Sequence, residues 1–226
     1  MQAMPVTCDC SHDHEPLLPI AEACRRAAAH VTAVAETERV SLQDAAGRIL
    51  AEDISARLAM PRFDQSAMDG YALAAASARG GVVLLPVSGL ILAGDAAAPL
   101  VPASAVRIFT GAPLPDGADT VVMQENASQR GGQVVIAGPL EAGSHIRRRG
   151  EDIAEGEPLL RSSMRIDARH IGLLAAQGIT EILVWRRPVV AVVSTGNELR
   201  QAGEVLSEGA INDSNRPMLM ALAQAA

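Results

Sequence analysis

Between about Met60 and Gly150 the chain consists of β-forming runs cut by glycine and proline, with no long helical period between them. The runs Val82–Leu92, Val106–Thr110, Asp119–Gln124 and Val134–Ala137 predict the strands of a β-rich lobe over residues 60–150. The flanks are different. Residues 19–30 have the composition of a helix with Ile20, Ala23, Cys24 and Ala27 on one face, and a short helix is predicted to start at Ser41 and stop at Gly47. Arg48 to Ile54 reads as extended chain, Asp167 caps a helix that ends at Gly178, and Ile182–Trp185 follows as a strand.

After Arg186-Arg187-Pro188 the β-branched run Val189–Val193 resembles a buried parallel strand, followed by a helix from Asn215. The expected fold class is α+β with several domains. Residues 1–16 are expected to form a disordered leader, and residues 17–59 with 151–186 a discontinuous, elongated helical and extended domain. Residues 60–150 are the inserted β-rich lobe, and residues 187–226 the first strand and helix of a truncated three-layer α/β domain. One parallel strand has nothing to pair with, so this last segment is expected to be part of a severed unit.

Composition narrows the function classes. At 49% hydrophobic and 20% charged residues, the chain can bury a globular core and is unlike a disordered tail. Phe63, Tyr71, Phe109 and Trp185 are the only aromatics, so the core is expected to be aliphatic and base stacking has little to work with. All 19 basic residues are arginine, which excludes a Schiff-base or P-loop lysine within this chain. A net charge of -7 argues against nucleic acid, and no apolar run reaches the roughly 20 residues of a membrane span. Cys8, Cys10 and Cys24 are too few and too clustered for a disulfide framework, which points to the cytoplasm. The Cys8-x-Cys10-x-His12-x-His14 spacing is tighter than structural zinc sites use, and no role is assigned to it.

Four segments hold the candidate chemistry. In PRFDQSAMDGYAL (61–73), Asp69-Gly70 is either a plain tight turn or a turn that presents a carboxylate. In RIFTGAPLPDGADTVVMQE (107–125), the Thr110-Gly111-Ala112-Pro113 loop is either a stiff connection or one that fixes a hydroxyl and backbone N–H groups for an anion. HIRRRGEDI (145–153) sets three arginines against Glu151 and Asp152. It reads as a solvated charge run, or as arginines that meet an oxyanion beside a metal-binding Asp152. RPVVAVVSTGNEL (187–199) places Ser194 and Glu198 at the carboxyl end of the predicted parallel strand, where open α/β sheets bind ligands. Single His145 and His170 read as structural.

In this order the four segments resemble the molybdopterin molybdenumtransferase family, which includes the enzyme part of gephyrin, from about Leu18 to Ala226. The resemblance implies insertion of molybdate into adenylated molybdopterin with release of AMP during molybdenum cofactor biosynthesis. It implies catalytic roles for Asp69, Thr110, Asp152 and Glu198, and substrate contacts from Arg147, Arg149, Ser194 and Asn215. It further implies one Mg2+ shared by Asp69, Asp152 and Glu198, the family's homodimer as the assembly that completes the site, and a molybdopterin-adenylating enzyme as a further partner. Asn197 stands where many members have Asp, which removes a charge but leaves Glu198. The family's later glycine-rich and lysine-containing segments do not appear here, so the chain is expected to be an N-terminal portion with little or no activity. The competing expectation is a non-catalytic dimerisation or interaction module.

Overall fold

A computed structural model describes residues 18–226, so the leader and its Cys8–His14 cluster lie outside the described residues. Helix α1 (Ile20–Ala29) opens the described chain. Two compact units are present: residues 37–185, and the described residues up to Glu36 together with Arg186–Ala226.

The unit 37–185 begins with strand β1 (Thr37–Ser41), then β2 (Ile54–Ser55) and β3 (Gln65–Ser66). The predicted helix at Ser41 is a single tight turn over Leu42–Asp44, with the Ser41 hydroxyl accepting from the Asp44 N–H. A six-stranded sheet follows: β4 (Gly70–Leu73), β5 (Val82–Ile91), β6 (Ala105–Ile108), β7 (Thr120–Met123), β8 (Ala127–Arg130) and β9 (Gln133–Ala137). Their order across the sheet is β7-β4-β6-β5-β9-β8, antiparallel throughout except for β5 beside β6. Period-2 alternation forms the strands: Val134 and Ile136 are fully buried on β9 while Val135 between them faces the other side. The packing is aliphatic as composition implied. Leu73, Leu85, Ala105, Val134 and Ile136 form one cluster, and Tyr71 is the only aromatic in it.

Gly70 corrects one local expectation. It is the first residue of β4, not the corner of a turn, and a Cβ there would stand 1.9 Å from the Val122 carbonyl oxygen on β7. The glycine is needed because two backbones approach closely, not for its turn conformation.

Strands β10 (Ile146–Arg147) and β11 (Pro158–Leu160) return the chain to β3 and β2, and helix α2 (Ala168–Ala176) leads into β12 (Glu181–Trp185), which pairs with β1. Asp167 caps α2 through the Arg169 and His170 N–H groups, and the His170 imidazole accepts from the Asp167 N–H in return. Leu50, Leu160, Ile166, Leu174, Ile182 and Val184 form a separate buried cluster around this helix. The buried Gln177 amide clips the chain at Arg57 and Leu58, accepting from both N–H groups and donating to the Leu58 carbonyl.

The second unit departs from expectation. Val189–Val193 is not a strand: Val189 is 96% and Val193 80% exposed, and no ladder partner lies along the run among the described residues. A parallel strand needs a neighbour supplied by a crossover, and residues 186–226 supply none to this run. They form instead a two-residue parallel pair, β13 (Leu199–Arg200) with β14 (Ile211–Asn212), and the expected helix, α3 (Asn215–Ala225). Among the described residues α1 likewise buries no side chain, with Ile20 exposed. No helix among the described residues is long and apolar enough to cross a membrane.

Candidate functional site

Three of the four motif segments meet around residues 64–69. Gln65 pairs with Arg147 across the β3–β10 ladder and bridges to Pro113, while the Leu114 N–H donates to the Asp64 carbonyl at 2.9 Å. Asp69 follows at the entrance to β4. Its Oδ1 accepts both the Thr110 N–H, at 2.9 Å, and the Thr110 hydroxyl, at 2.8 Å. Two predicted site residues, 41 positions apart, are therefore hydrogen-bonded to each other. The Thr110 N–H first, then its hydroxyl, hold the Asp69 carboxyl below the usual carboxylate range, with the field of Arg107 adding to the effect. The expected role of the Thr110 loop changes accordingly. Its N–H and hydroxyl are directed at a carboxylate of the protein and keep Asp69 ionised.

The arginine run pairs with carboxylates, the first of the two expectations for it. Arg147 bonds both oxygens of Asp152, and this pairing raises the Arg147 pKa. Arg148 Nη1 donates to Asp64 Oδ2 at 2.6 Å, and Arg149 Nη2 donates to Glu155 at 2.9 Å. The Arg149 N–H adds a bond to Asp64 Oδ1 and, with the Arg148 side chain, lowers the Asp64 pKa. Each arginine of the run thus has a carboxylate partner, and Asp152 is held by the arginine five residues before it.

In the second unit Glu198 is exposed, with its carboxylate folded back over Gly196, close to where a Cβ would stand. Ser194 lines a cavity of about 250 Å³ with Gly196, Arg200, Glu204, Asp213 and Arg216. Asp213, just ahead of α3, is buried there. The Arg216 N–H first, then the Ser194 hydroxyl, lower its pKa. Asn215 starts α3 and contributes its N–H to the same carboxylate.

Asp69, Asp152 and Glu198 are hard oxygen donors of the type Mg2+ prefers. Among the described residues, however, no three His, Cys, Asp or Glu side chains are gathered as metal ligands, and Asp152 is engaged by Arg147.

Arg107 is the functional candidate that sequence reasoning missed. It lies on β6 opposite Tyr71 of β4, with its guanidinium 5.1 Å from the Tyr71 ring centre and 4.8 Å from that of Phe109. Its position at the head of the 107–125 motif was visible, but its ring partners come from strand pairing that no local pattern shows.

Residues 18–178 match the family model described as the MoeA N-terminal region, domains I and II. Molybdopterin molybdenumtransferase of Haemophilus influenzae is 40% identical over 183 residues, covering 80% of this chain and 45% of that protein. Molybdopterin molybdenumtransferase 2 of Mycobacterium tuberculosis is 41% identical over 203 residues, covering 85% of this chain and 50% of that protein. The chain thus spans about half the length of the curated relatives it matches. The crystal structure of the molybdopterin biosynthesis MoeA protein from Pyrococcus horikoshii aligns with a TM-score of 0.83 at 32% identity, over 92% of this chain and 57% of that one. Mixed α/β architecture, six-stranded sheet and matched sequence agree, and the chain belongs to the MoeA family of molybdopterin molybdenumtransferases.

Proposed function

We propose that this chain serves the insertion of molybdate into adenylated molybdopterin, with cleavage of the phosphoanhydride and release of AMP, in molybdenum cofactor biosynthesis in the cytoplasm. The observation that supports it most is the Asp69–Thr110 pair, in which two family motifs fix one ionised carboxylate at the entrance to a strand. Such a carboxylate orients a water or a substrate hydrogen without reorganising during the reaction. In this reading Ser194, Glu198 and Asn215 contact substrate from the second unit, and Arg147 and Arg149 do so by exchanging their carboxylate partners for substrate oxygens. Asp69, Asp152 and Glu198 would hold Mg2+, which would screen phosphate charge, in a homodimer. A molybdopterin-adenylating enzyme delivers the substrate.

The chain spans about half the length of its curated relatives, and the whole reaction is proposed for it on the matched motifs. The test is AMP release from adenylated molybdopterin and molybdate, comparing the chain with a full-length relative, and that relative with variants carrying the D69N and T110V changes at the matching positions. Turnover by the chain that matches the relative supports the enzyme reading over an interaction module. Turnover unaffected by D69N contradicts the role of Asp69.

A second reading, a non-catalytic interaction module, is supported by the exposed apolar side chains Val189, Val190, Val193 and Leu222. Sedimentation analysis separates the two. A stable dimer whose assembly is insensitive to substrate favours the module.

A further inference from the structure

Resting on the functional reading above, we propose that Arg107 is the cation of the Asp69–Thr110 corner that receives a tetrahedral oxyanion, either the phosphate end of a phosphoanhydride or molybdate. Arg147, Arg148 and Arg149 each spend their charge on a carboxylate. Among the described residues Arg107 makes no such pair. Its hydrogen-bond partners are neutral oxygens, the Gly70 carbonyl at 3.4 Å and the Gln124 side-chain amide. Two of its five N–H donors are therefore accounted for, and its charge is uncancelled by direct contact.

The guanidinium is also held in place. It lies against the rings of Tyr71 and Phe109, and Tyr71 is itself buried and donates its hydroxyl to Gln129. A planar fork fixed in advance loses less freedom on binding than a free side chain, and it suits bidentate contact with an oxyanion. Asp69 and Glu125 are the neighbouring acids. Asp69 gives Oδ1 to Thr110, and Glu125 accepts from the Gln124 amide at 3.2 Å, so neither occupies the fork.

Calorimetric titration of the 226-residue chain with sodium pyrophosphate, and separately with sodium molybdate, tests this. The expected result is one-site binding of at least one oxyanion, and the tighter of the two names the source. Arg107→Gln weakens it about tenfold or more, and the control Arg148→Gln changes it about twofold or less. Arg107→Lys and Phe109→Leu each weaken it several-fold, which keeps the test open if Arg107→Gln does not fold by circular dichroism. Binding of neither oxyanion overturns the proposal, as does an Arg107→Gln titration like wild type, or an equal loss in Arg148→Gln. Binding is read without turnover, so the two ideas fail separately. A chain that binds through Arg107 while its full-length relative inserts no molybdenum sinks only the functional reading. Turnover with unchanged Arg107→Gln binding sinks only this inference.

Discussion

Residues 37–185 and residues 186–226 carry equally strong β-forming sequence and meet different fates. In the first region Val134 and Ile136 lie between paired strands and are fully buried. In the second, Val189 and Val193 have as good a β propensity and stay exposed without a ladder. The difference is the supply of neighbours. Propensity makes a strand only where backbone donors and acceptors across the gap complete it.

The comparison breaks most readily through core truncation. Leu174→Ala, within the fully buried cluster around α2, is expected to destabilise residues 37–185 by about 2–5 kcal/mol, whereas Val190→Ala should cost less than about 0.5 kcal/mol. Urea unfolding of both variants measures this, and equal losses would erase the distinction between the regions. Gly70→Ala comes next. Its Cβ would meet the Val122 carbonyl, and the expected loss is about 1–3 kcal/mol by the same assay.

Smaller effects sharpen the picture inside residues 37–185. The Arg169 side chain, with the N–H groups of His170 and Arg169, lowers Asp167 to about 2, below the roughly 3.9 of a free aspartate. Between those values the unfolded chain binds more protons. The contribution of Asp167 is therefore full above about pH 4 and fades as pH falls through about 2. Melting temperatures of wild type and Asp167→Asn should converge in acid and differ at neutral pH, modestly because the pair is exposed. The smallest effect concerns the site. Thr110→Val removes one of two bonds to Asp69, and carboxyl NMR should show the Asp69 pKa rising toward the free value. An unchanged Asp69 pKa would detach Thr110 from its assigned role.

Much of this architecture was legible in the sequence, for physical reasons that can be named. Gly and Pro punctuation located β5, β6, β7 and β9, and Asp167 with Gly178 bracketed α2, because caps and turns are local chemistry. β1 and β4 were not read, since Thr37–Ser41 and Gly70–Leu73 show their strand character only against β12, β6 and β7. Among the site residues, Asp69 and Thr110 were each singled out from their motifs, but their hydrogen bonds to each other were not read. The Arg147–Asp152 pairing, the burial of Asp213 and the ring contacts of Arg107 depend on side-chain placement that spacing does not encode.

Amide hydrogen exchange across the whole chain tests the contrast most directly. Slow exchange at Val134–Ile136 and Ile182–Val184, together with near-unstructured rates at Val189–Val193, is the predicted outcome. Protection of Val189–Val193 comparable with β9 would contradict it, because that run would then have found a ladder within this chain.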